Sequence, residues 1–506
     1  MVNQDLYRQT LEDMVDPRHP LVILANRINW DELEARIAPL IVRTLRNERT
    51  VEQEDLFGPS VQLVGVRGGG RPRLPTRLML SLLYLKHAFN ESDEALCERW
   101  VDSVSWQYFS GQTYYEPRMP CDPTHLGRFR KMIGEEGVEL LLIATLETAV
   151  TSNAVQSSEF EKIIVDSTVM EKAIAHPTDS RLLEIARYQT VKAAKGVGIT
   201  LKQTYAKEAT QLRRKAGGYA HARQFKRLRK VVKRQRTLLG IVLRAIQRKL
   251  SSGIPESPAH QRLNEVMQRA ERLRTQKPKD KNKLYAFHAP EVSCISKGKA
   301  RKPYEFGVKS SLAITHQQGL IVGARTFPGN PYDGHTLAAQ LEQTRILLES
   351  VGTEPREVFV DLGYRGVDED CPGVTVHHRG KYKSMTLEQR RWLKRRQAIE
   401  PVFGHLKNDH RMDRCWLKGE VGDAIHAVLC AIGYNIRWLM RAILAGIISP
   451  VFLCLKLVGW IQTFTGCLVS SSSIAIRRMT VPVYQGAEPA FGLSLSKGDQ
   501  PLGLLH

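Results

Sequence analysis

Apolar positions along the 506-residue chain fall into helical and strand spacings, and each predicts its own element. From Thr76, after Pro75, residues Leu78, Leu82, Leu85 and Phe89 recur at intervals of three or four, which predicts a helix. Asn90-Glu-Ser-Asp93 breaks that pattern, Leu96, Trp100 and Val104 start a second helix, and Asp122-Pro-Thr124 opens a third. Upstream, Trp30-Asp-Glu-Leu-Glu34 begins another helix, in a stretch (1–60) that carries no legible chemistry. Two short runs have strand character instead. Ile163-Ile-Val-Asp166 and Val358-Phe-Val-Asp361 are β-branched or aromatic, and each reads as a strand finishing in an aspartate. Pro303 to Thr315, the turn Gln317-Gln-Gly319 and Leu320 to Thr326 predict an antiparallel pair, and Asp333-Gly334 leads into a helix through Leu337, Leu341 and Ile346. Leu393, Ile399, Val402, Phe403 and Leu406 then form one apolar stripe of a helix running through residues 395–407.

Between the first strand and the hairpin the pattern is helical for a long way. Phe225, Leu228, Val232, Leu239, Val242 and Ile246 keep 3–4 spacing, interrupted at Gln235. Ser251-Ser-Gly-Ile-Pro255 ends that run, and Leu263, Met267, Ala270 and Leu273 begin its return. This predicts an antiparallel helical hairpin inserted between strands.

Charge changes the picture of that insertion. Residues 201–250 hold 16 Lys+Arg against one acid, Glu208, a local +15; subtracting it from the chain's +22 leaves +7 for everything else. A charge run is usually a solvated face, but one so one-sided points to phosphates. Arg227, Lys230, Lys233 and Arg234 are its candidate backbone contacts. The helix predicted from Asp122 carries Arg128, Arg130 and Lys131 near its start. That is either a helix–turn–helix reader of DNA or a small bundle with a basic face. Gly68-Gly-Gly-Arg-Pro-Arg73 reads as a basic hinge, either a plain linker or an arm on phosphates.

Candidate catalytic chemistry lies on the helix of residues 395–407. Arg396 and Glu400 are four apart and Lys407 seven further, so a continuous helix puts all three on one face. Alone, such a pair is an ordinary surface ion pair, and a strand-end aspartate ordinarily caps a turn. Together, Asp166, Asp361 and Glu400 are three hard oxygen ligands of the kind that hold Mg²⁺. Two such ions about 4 Å apart can activate a nucleophile and steady the leaving oxygen of a phosphodiester.

The ordered set Asp166, Asp361-Leu-Gly-Tyr-Arg-Gly366 and Arg396-x3-Glu400-x6-Lys407 resembles the DDE transposases of bacterial insertion sequences, in the group with a Tyr-x2-Arg-x3-Glu-x6-Lys signature. Leu393 stands where that signature has its tyrosine, with Trp392 beside it. Ala175-His-Pro-Thr-Asp-Ser180 and Phe327-Pro-Gly-Asn-Pro-Tyr-Asp-Gly-His-Thr336 also look familiar, and the resemblance spans roughly residues 60–440. It implies an α/β chain: a ribonuclease-H-like mixed sheet with helices on both faces, an N-terminal helical DNA-binding region and the inserted basic hairpin. The expected boundaries are 1–150 for the N-terminal region, 151–184 and 301–445 for the two parts of the catalytic domain, 185–300 for the insertion and 446–506 for an extension. Catalysis and metal binding would fall to Asp166, Asp361 and Glu400, with Mg²⁺ as cofactor and Mn²⁺ able to substitute. Arg396 and Lys407 would neutralise phosphate. Partners would be double-stranded DNA, as inverted-repeat ends and target, and a second copy of the chain. The competing reading is a nucleic-acid-binding protein on an inactive or simple-nuclease scaffold.

The remaining composition narrows the setting. Eight cysteines without a CxxC spacing read as buried thiols of a reducing compartment, so neither disulfides nor zinc are expected. Asp5, Glu12, Asp13 and Asp16 without an apolar run do not read as a signal peptide, and the expected location is the bacterial cytoplasm, on the nucleoid. Ala442 to Val469 has one charge, Lys456, and is apolar enough to raise a membrane span. Pro450, Lys456 and Gln462-Thr-Phe-Thr465 favour a helix packed on the core, followed by a loose tail from Ser470 and no membrane contact.

Overall fold

The computed structural model describes residues 8–41, 49–55, 58–64, 73–250, 257–296, 303–367 and 369–448. Most of the hinge, the expected helix stop Ser251-Ser-Gly-Ile-Pro255, and the extension beyond residue 448 lie outside the described residues.

The N-terminal part comprises α1 (Leu11–Met14), α2 (Pro20–Arg27), α3 (Trp30–Ile37), the hairpin β1 (Arg49–Asp55) and β2 (Gly58–Val64), then α4 (Thr76–Ala88), α5 (Asp93–Asp102), α6 (Val104–Phe109) and α7 (Pro123–Thr151). Side chains at the predicted starts do the capping. Asn29 accepts the Glu32 N–H, Ser92 the Ala95 N–H, and Asp122 the Thr124 N–H. α4 is buried at every position from Leu78 to Ala88, including Ser81, Lys86 and His87. It packs against α7 and a later helix rather than standing on the surface. α7 is broken at Gly134, whose φ of 65° and ψ of −159° lie outside helical space and suit a residue without Cβ.

The sheet is mixed. β3 (Lys162–Glu171) pairs antiparallel with β5 (Tyr304–Thr315), and β5 pairs antiparallel with β6 (Ile321–Phe327). On its other side β3 is parallel to β7 (Glu357–Phe359), which is parallel to β8 (Thr375–His377). β4 (Ser293–Ser296) adds to the first residues of β5. The predicted hairpin is therefore present within one residue at each end, with Gly319 at φ 68° in its turn. β3 differs from expectation: it runs five residues past Asp166, so that aspartate sits mid-strand, opposite Leu312.

Among the described residues the insertion holds four helices, two more than the expected hairpin. α8 (Asp179–Gly196) begins inside the stretch assigned to the first part of the catalytic domain, and α9 (Ala206–His221), α10 (Phe225–Leu250) and α11 (Pro258–Thr275) follow. They enclose their own apolar cluster, with Leu183 and Ala186 against Leu239, Val242, Ile246, Leu263 and Leu273. Gln235, the break in the apolar stripe, is buried and donates to the Ser180 carbonyl of α8 at 3.3 Å. A two-helix reading fails because α10 needs apolar partners on more sides than α11 alone supplies. The insertion's exit is pinned by a buried ion cluster, where Lys172 Nζ lies 2.6 Å from Asp423 and 2.9 Å from Glu291.

Past β6 come α12 (Gly334–Leu348), α13 (Leu387–Arg395), α14 (Ile399–Asp409) and α15 (Gly419–Leu444). Gln343 of α12 brackets β6 by accepting the Ala324 N–H and donating to the Ala324 carbonyl. Asn435 of α15 does the same to Ile321 and also donates to Thr145 of α7. One core thus unites the N-terminal helices with the sheet. α15 is long and apolar enough to cross a membrane, but 78% of its most apolar stretch is buried inside the protein.

Candidate active site

Asp166 reaches the site from the middle of β3. Its Oδ1 accepts the N–H of Ser167 at 2.7 Å, and its Oδ2 receives Arg396 Nη1 at 2.9 Å. Asp361 follows β7 after Val360, and its carboxylate caps the short turn Leu362–Tyr364 by accepting the Gly363 N–H at 2.8 Å. Asp361 therefore does what strand-end aspartates ordinarily do, and it does so beside Asp166. Glu400 stands exposed in the first turn of α14, whose Ile399, Val402, Phe403 and Leu406 are buried and which packs on β3.

The expected continuous helix from 395 to 407 is broken. α13 ends at Arg395, and Arg396–Ala398 form a 3₁₀ turn before α14 starts. That turn takes Arg396 out of simple register with Glu400 and points its guanidinium to Asp166. Arg396, expected to share a helix face with Glu400, is instead paired with Asp166.

Electrostatics ties the three carboxylates together. Burial, then the charges of Asp361 and Glu400, push the Asp166 carboxyl up to about 6. The Ser167 N–H and Arg396 pull the other way and do not balance these. The hydroxyl of buried Tyr364 is raised well above the usual tyrosine range by burial and by Asp166, Asp333 and Asp361. Among the described residues no three His, Cys, Asp or Glu side chains are grouped closely enough to enclose an ion. The acids meet as neighbouring charges, not as a closed cage. In kind they still suit Mg²⁺: all three are hard carboxylate donors, and Asp166 carries an excess of negative neighbours.

A cleft of about 900 Å³ opens beside Asp361 and Arg396. Arg379, Arg390 and Lys394 line it together with Tyr382, whose ring lies under the Arg390 guanidinium at 4.7 Å. Leu393, at the signature's tyrosine position, is buried at its wall. Lys407 is half-buried in the last turn of α14.

The other expected contacts divide. Arg128 and Lys131 are exposed on α7. Arg130 is not: it is 7% exposed and holds Asp93 of α5 through Nη1 and Nη2 at 3.3 and 3.1 Å. A base-reading role for Arg130 is corrected to a structural one, because its fork is already occupied in the interior. On α10, Arg227, Lys230, Lys233 and Arg234 are all exposed. Arg234 is bound in a two-pronged pair to Glu208 of α9, at 2.7 and 3.1 Å.

Sequence reasoning missed Asp333, Lys309 and Ser167. Asp333 Oδ1 accepts from Ser167 Oγ at 2.7 Å and from Lys309 Nζ at 2.9 Å. Within Phe327 to Thr336 the sequence marks Asp333 as a helix opener, and its contacts with Ser167 and Lys309 come from the fold.

With this geometry in place, comparison with known proteins fixes the class. Residues 9–132 match a family described as Transposase domain (DUF772), and residues 270–436 match one described as Transposase DDE domain. The chain is also 38% identical over 221 residues to "Uncharacterized protein ORF8 in nfe locus" of Rhizobium meliloti, covering 44% of this chain and 95% of that protein. No solved structure matches. The chain belongs to the DDE transposases of insertion sequences, at family level metal-dependent DNA-cleaving enzymes. Asp361 and Glu400 fall inside the matched DDE stretch, whereas Asp166 lies between the two matches.

Proposed function

We propose that the chain binds the terminal inverted repeats of an insertion sequence, cleaves phosphodiesters there with Mg²⁺, and transfers the freed strands to target DNA. The observation that supports this reading is that Asp361 and Glu400 lie near enough for their charges to act on Asp166, which Arg396 also contacts. The strand order β6-β5-β3-β7-β8, antiparallel up to β3 and parallel after it, supports a ribonuclease-H-like catalytic domain divided by the insertion. On this reading the proposed domains are 1–150, 151–178 with 301–445, and an insertion that starts at α8 instead of residue 185. The protein acts in the cytoplasm, and synapsis of two DNA ends makes a dimer or higher assembly the working form.

Asp166, Asp361 and Glu400 would hold the metal, which would supply positive charge to activate a water or 3′-hydroxyl and to steady the leaving oxygen. Arg396 lies where a scissile phosphate approaching Asp166 needs a cation, and Lys407 adds a second positive charge along α14. Arg128 and Lys131 contact DNA from α7, while Arg227, Lys230 and Lys233 grip backbone from α10.

Alanine at Asp166, Asp361 or Glu400, assayed on a labelled end fragment with Mg²⁺ or Mn²⁺ beside a gel shift, tests the assignment. Cleavage should vanish in each variant with DNA binding retained. Full cleavage by Glu400→Ala would remove it from the site and make Asp409 the next carboxylate to examine.

A further inference from the structure

Lys309 is an unusual residue for its position. It lies within β5, between its cross-strand partners Val169 of β3 and Phe327 of β6, and is 8% exposed. A buried ammonium is costly unless paired and hydrogen-bonded. Its Nζ donates to the Pro331 carbonyl and to Asp333 Oδ1, so both partners come from the segment just before α12. That same Oδ1 receives Ser167 Oγ, from the residue that follows Asp166.

The second oxygen of Asp333 faces the other aspartate's turn. A Cβ on Gly363 would lie 2.9 Å from Asp361 Oδ1 and 3.3 Å from Asp333 Oδ2, so the two carboxylates flank one glycine. Any side chain at 363 would separate them or displace the turn. Asp333 thus touches the strand bearing Asp166 through Ser167 and abuts the turn bearing Asp361. Lys309, fixed in the sheet, holds it there.

We propose that Asp333, clamped by Lys309, is the positioning residue that fixes the two aspartates Asp166 and Asp361 relative to each other for divalent-metal binding. This rests on the reading of those aspartates as metal ligands. Asp333 already spends one oxygen on Lys309 and Ser167, which suits a holder of ligands more than a ligand. The ammonium also neutralises it, so that a fourth carboxylate joins the group without deepening the repulsion around Asp166.

The test uses full-length protein without DNA, with Mn²⁺ binding followed by electron paramagnetic resonance, and then the Mg²⁺ dependence of end cleavage. Asp333→Asn combined with Lys309→Met removes the clamp without stranding a buried charge. We expect Mn²⁺ binding weakened by about 10- to 100-fold. The Mg²⁺ concentration for half-maximal cleavage should rise in parallel, and the rate at saturating Mg²⁺ should largely recover. Ser167→Ala, which removes one hydrogen bond and leaves the ion pair, should shift both quantities the same way by about fivefold, and it keeps the test decisive if the double variant does not fold. Wild-type Mn²⁺ affinity in these variants would overturn the proposal and leave Asp333 a purely structural residue. Complete loss of Mn²⁺ binding in Asp333→Asn, unrecovered at high Mg²⁺, would overturn it the other way, making Asp333 a ligand. If Asp361→Asn itself bound Mn²⁺ normally, the metal-site reading beneath the proposal would fail instead.

Discussion

Arg396 Nη1 lies 2.9 Å from Asp166 Oδ2, on a carboxylate that titrates near pH 6 despite that contact. A guanidinium normally lowers the pKa of its partner; here burial and the neighbouring carboxylates outweigh it. Arg396 is thus a partial counterion at a site short of positive charge, which is the condition under which a divalent cation binds well.

A pH dependence follows from this. An acid raised in the folded state is ionised more easily when unfolded, so its contribution to stability is lost as pH rises from about 4, where unfolded aspartate titrates, through about 6. In metal-free protein, Asp166→Asn should therefore melt higher than wild type at pH 7, with the difference closing below about pH 5. Added Mg²⁺ should raise the melting temperature of wild type only. Cleavage at limiting Mg²⁺ should rise with pH through about 6, and more Mg²⁺ should move that limb to lower pH, since metal and proton compete for one carboxylate. Calorimetry with a pH–rate series checks both halves, and a lower melting temperature for Asp166→Asn at pH 7 would contradict the first.

Arg396 and Lys407 should part company when neutralised. Arg396→Gln removes a cation that pulls the Asp166 carboxyl down, so the acid limb of cleavage should move to higher pH while the rate falls about 10²-fold, the scale of losing one charge-stabilising donor. Lys407→Gln, in the last turn of α14, should slow cleavage while moving the limb less, because Arg396 is the cation seated on the Asp166 carboxylate. Equal pH profiles for the two variants would show that the Arg396–Asp166 contact is not made in solution.

Much of the sheet was legible because its strands are written locally. Pro303 to Thr326 contains two β-branched runs around Gly319, and the structure places the hairpin there. Asp361 was legible for the same reason, at the end of a three-residue apolar run. What failed was set by tertiary partners. The break at Arg396–Ala398 has a local cause in Pro401, which lacks the N–H that a continuous helix would give to the Gln397 carbonyl, but only the fold places Arg396 on a strand 230 residues away in sequence. The burial of Arg130 depends on Asp93, whose role as an interior acid cannot be read from Asn90 to Asp93. Lys309 lies within the predicted strand Pro303 to Thr315, and only the β5–β6 pairing and the Asp333 segment show its burial and its partners.

Arg130 yields the next expectation. Its guanidinium and Lys86 both hold Asp93, joining α4, α5 and α7. Removing one member of such a cluster strands the rest, so Arg130→Ala should cost about 3 kcal/mol of stability. Below its lowered melting temperature it should keep the wild-type preference for element ends. Urea unfolding beside competition binding would check this, and a lost sequence preference with unchanged stability would return Arg130 to the DNA interface.

The insertion's grip on DNA should be distributed unevenly along α10. Arg227, Lys230 and Lys233 are exposed, and among the described residues no acid is bound to them; Arg227 donates to Gln224 and lies 5.9 Å from the Tyr219 ring, both contacts that leave its charge intact. Arg234 is different, because Glu208, the sole acid of residues 201–250, already takes two of its donors. Counterions condensed on DNA are released by cations that replace them, so each phosphate contact steepens the log–log salt dependence by about 0.9. Replacing Arg227, Lys230 or Lys233 with Gln should each make the slope shallower by about 0.9 and weaken binding to every sequence alike. Arg234→Gln should change it by much less, and Glu208→Gln, which frees that guanidinium, should steepen it. Arg128→Gln and Lys131→Gln on α7 test the reader separately. If Arg128 forks onto a guanine, its loss should lower the preference for element ends by roughly 1–3 kcal/mol, while a phosphate contact would lower only the slope. Fluorescence anisotropy at four salt concentrations, with end and random duplexes, resolves all seven variants. Loss of sequence preference in the α10 variants, with the α7 variants unchanged, would reverse the assignment of reader and clamp.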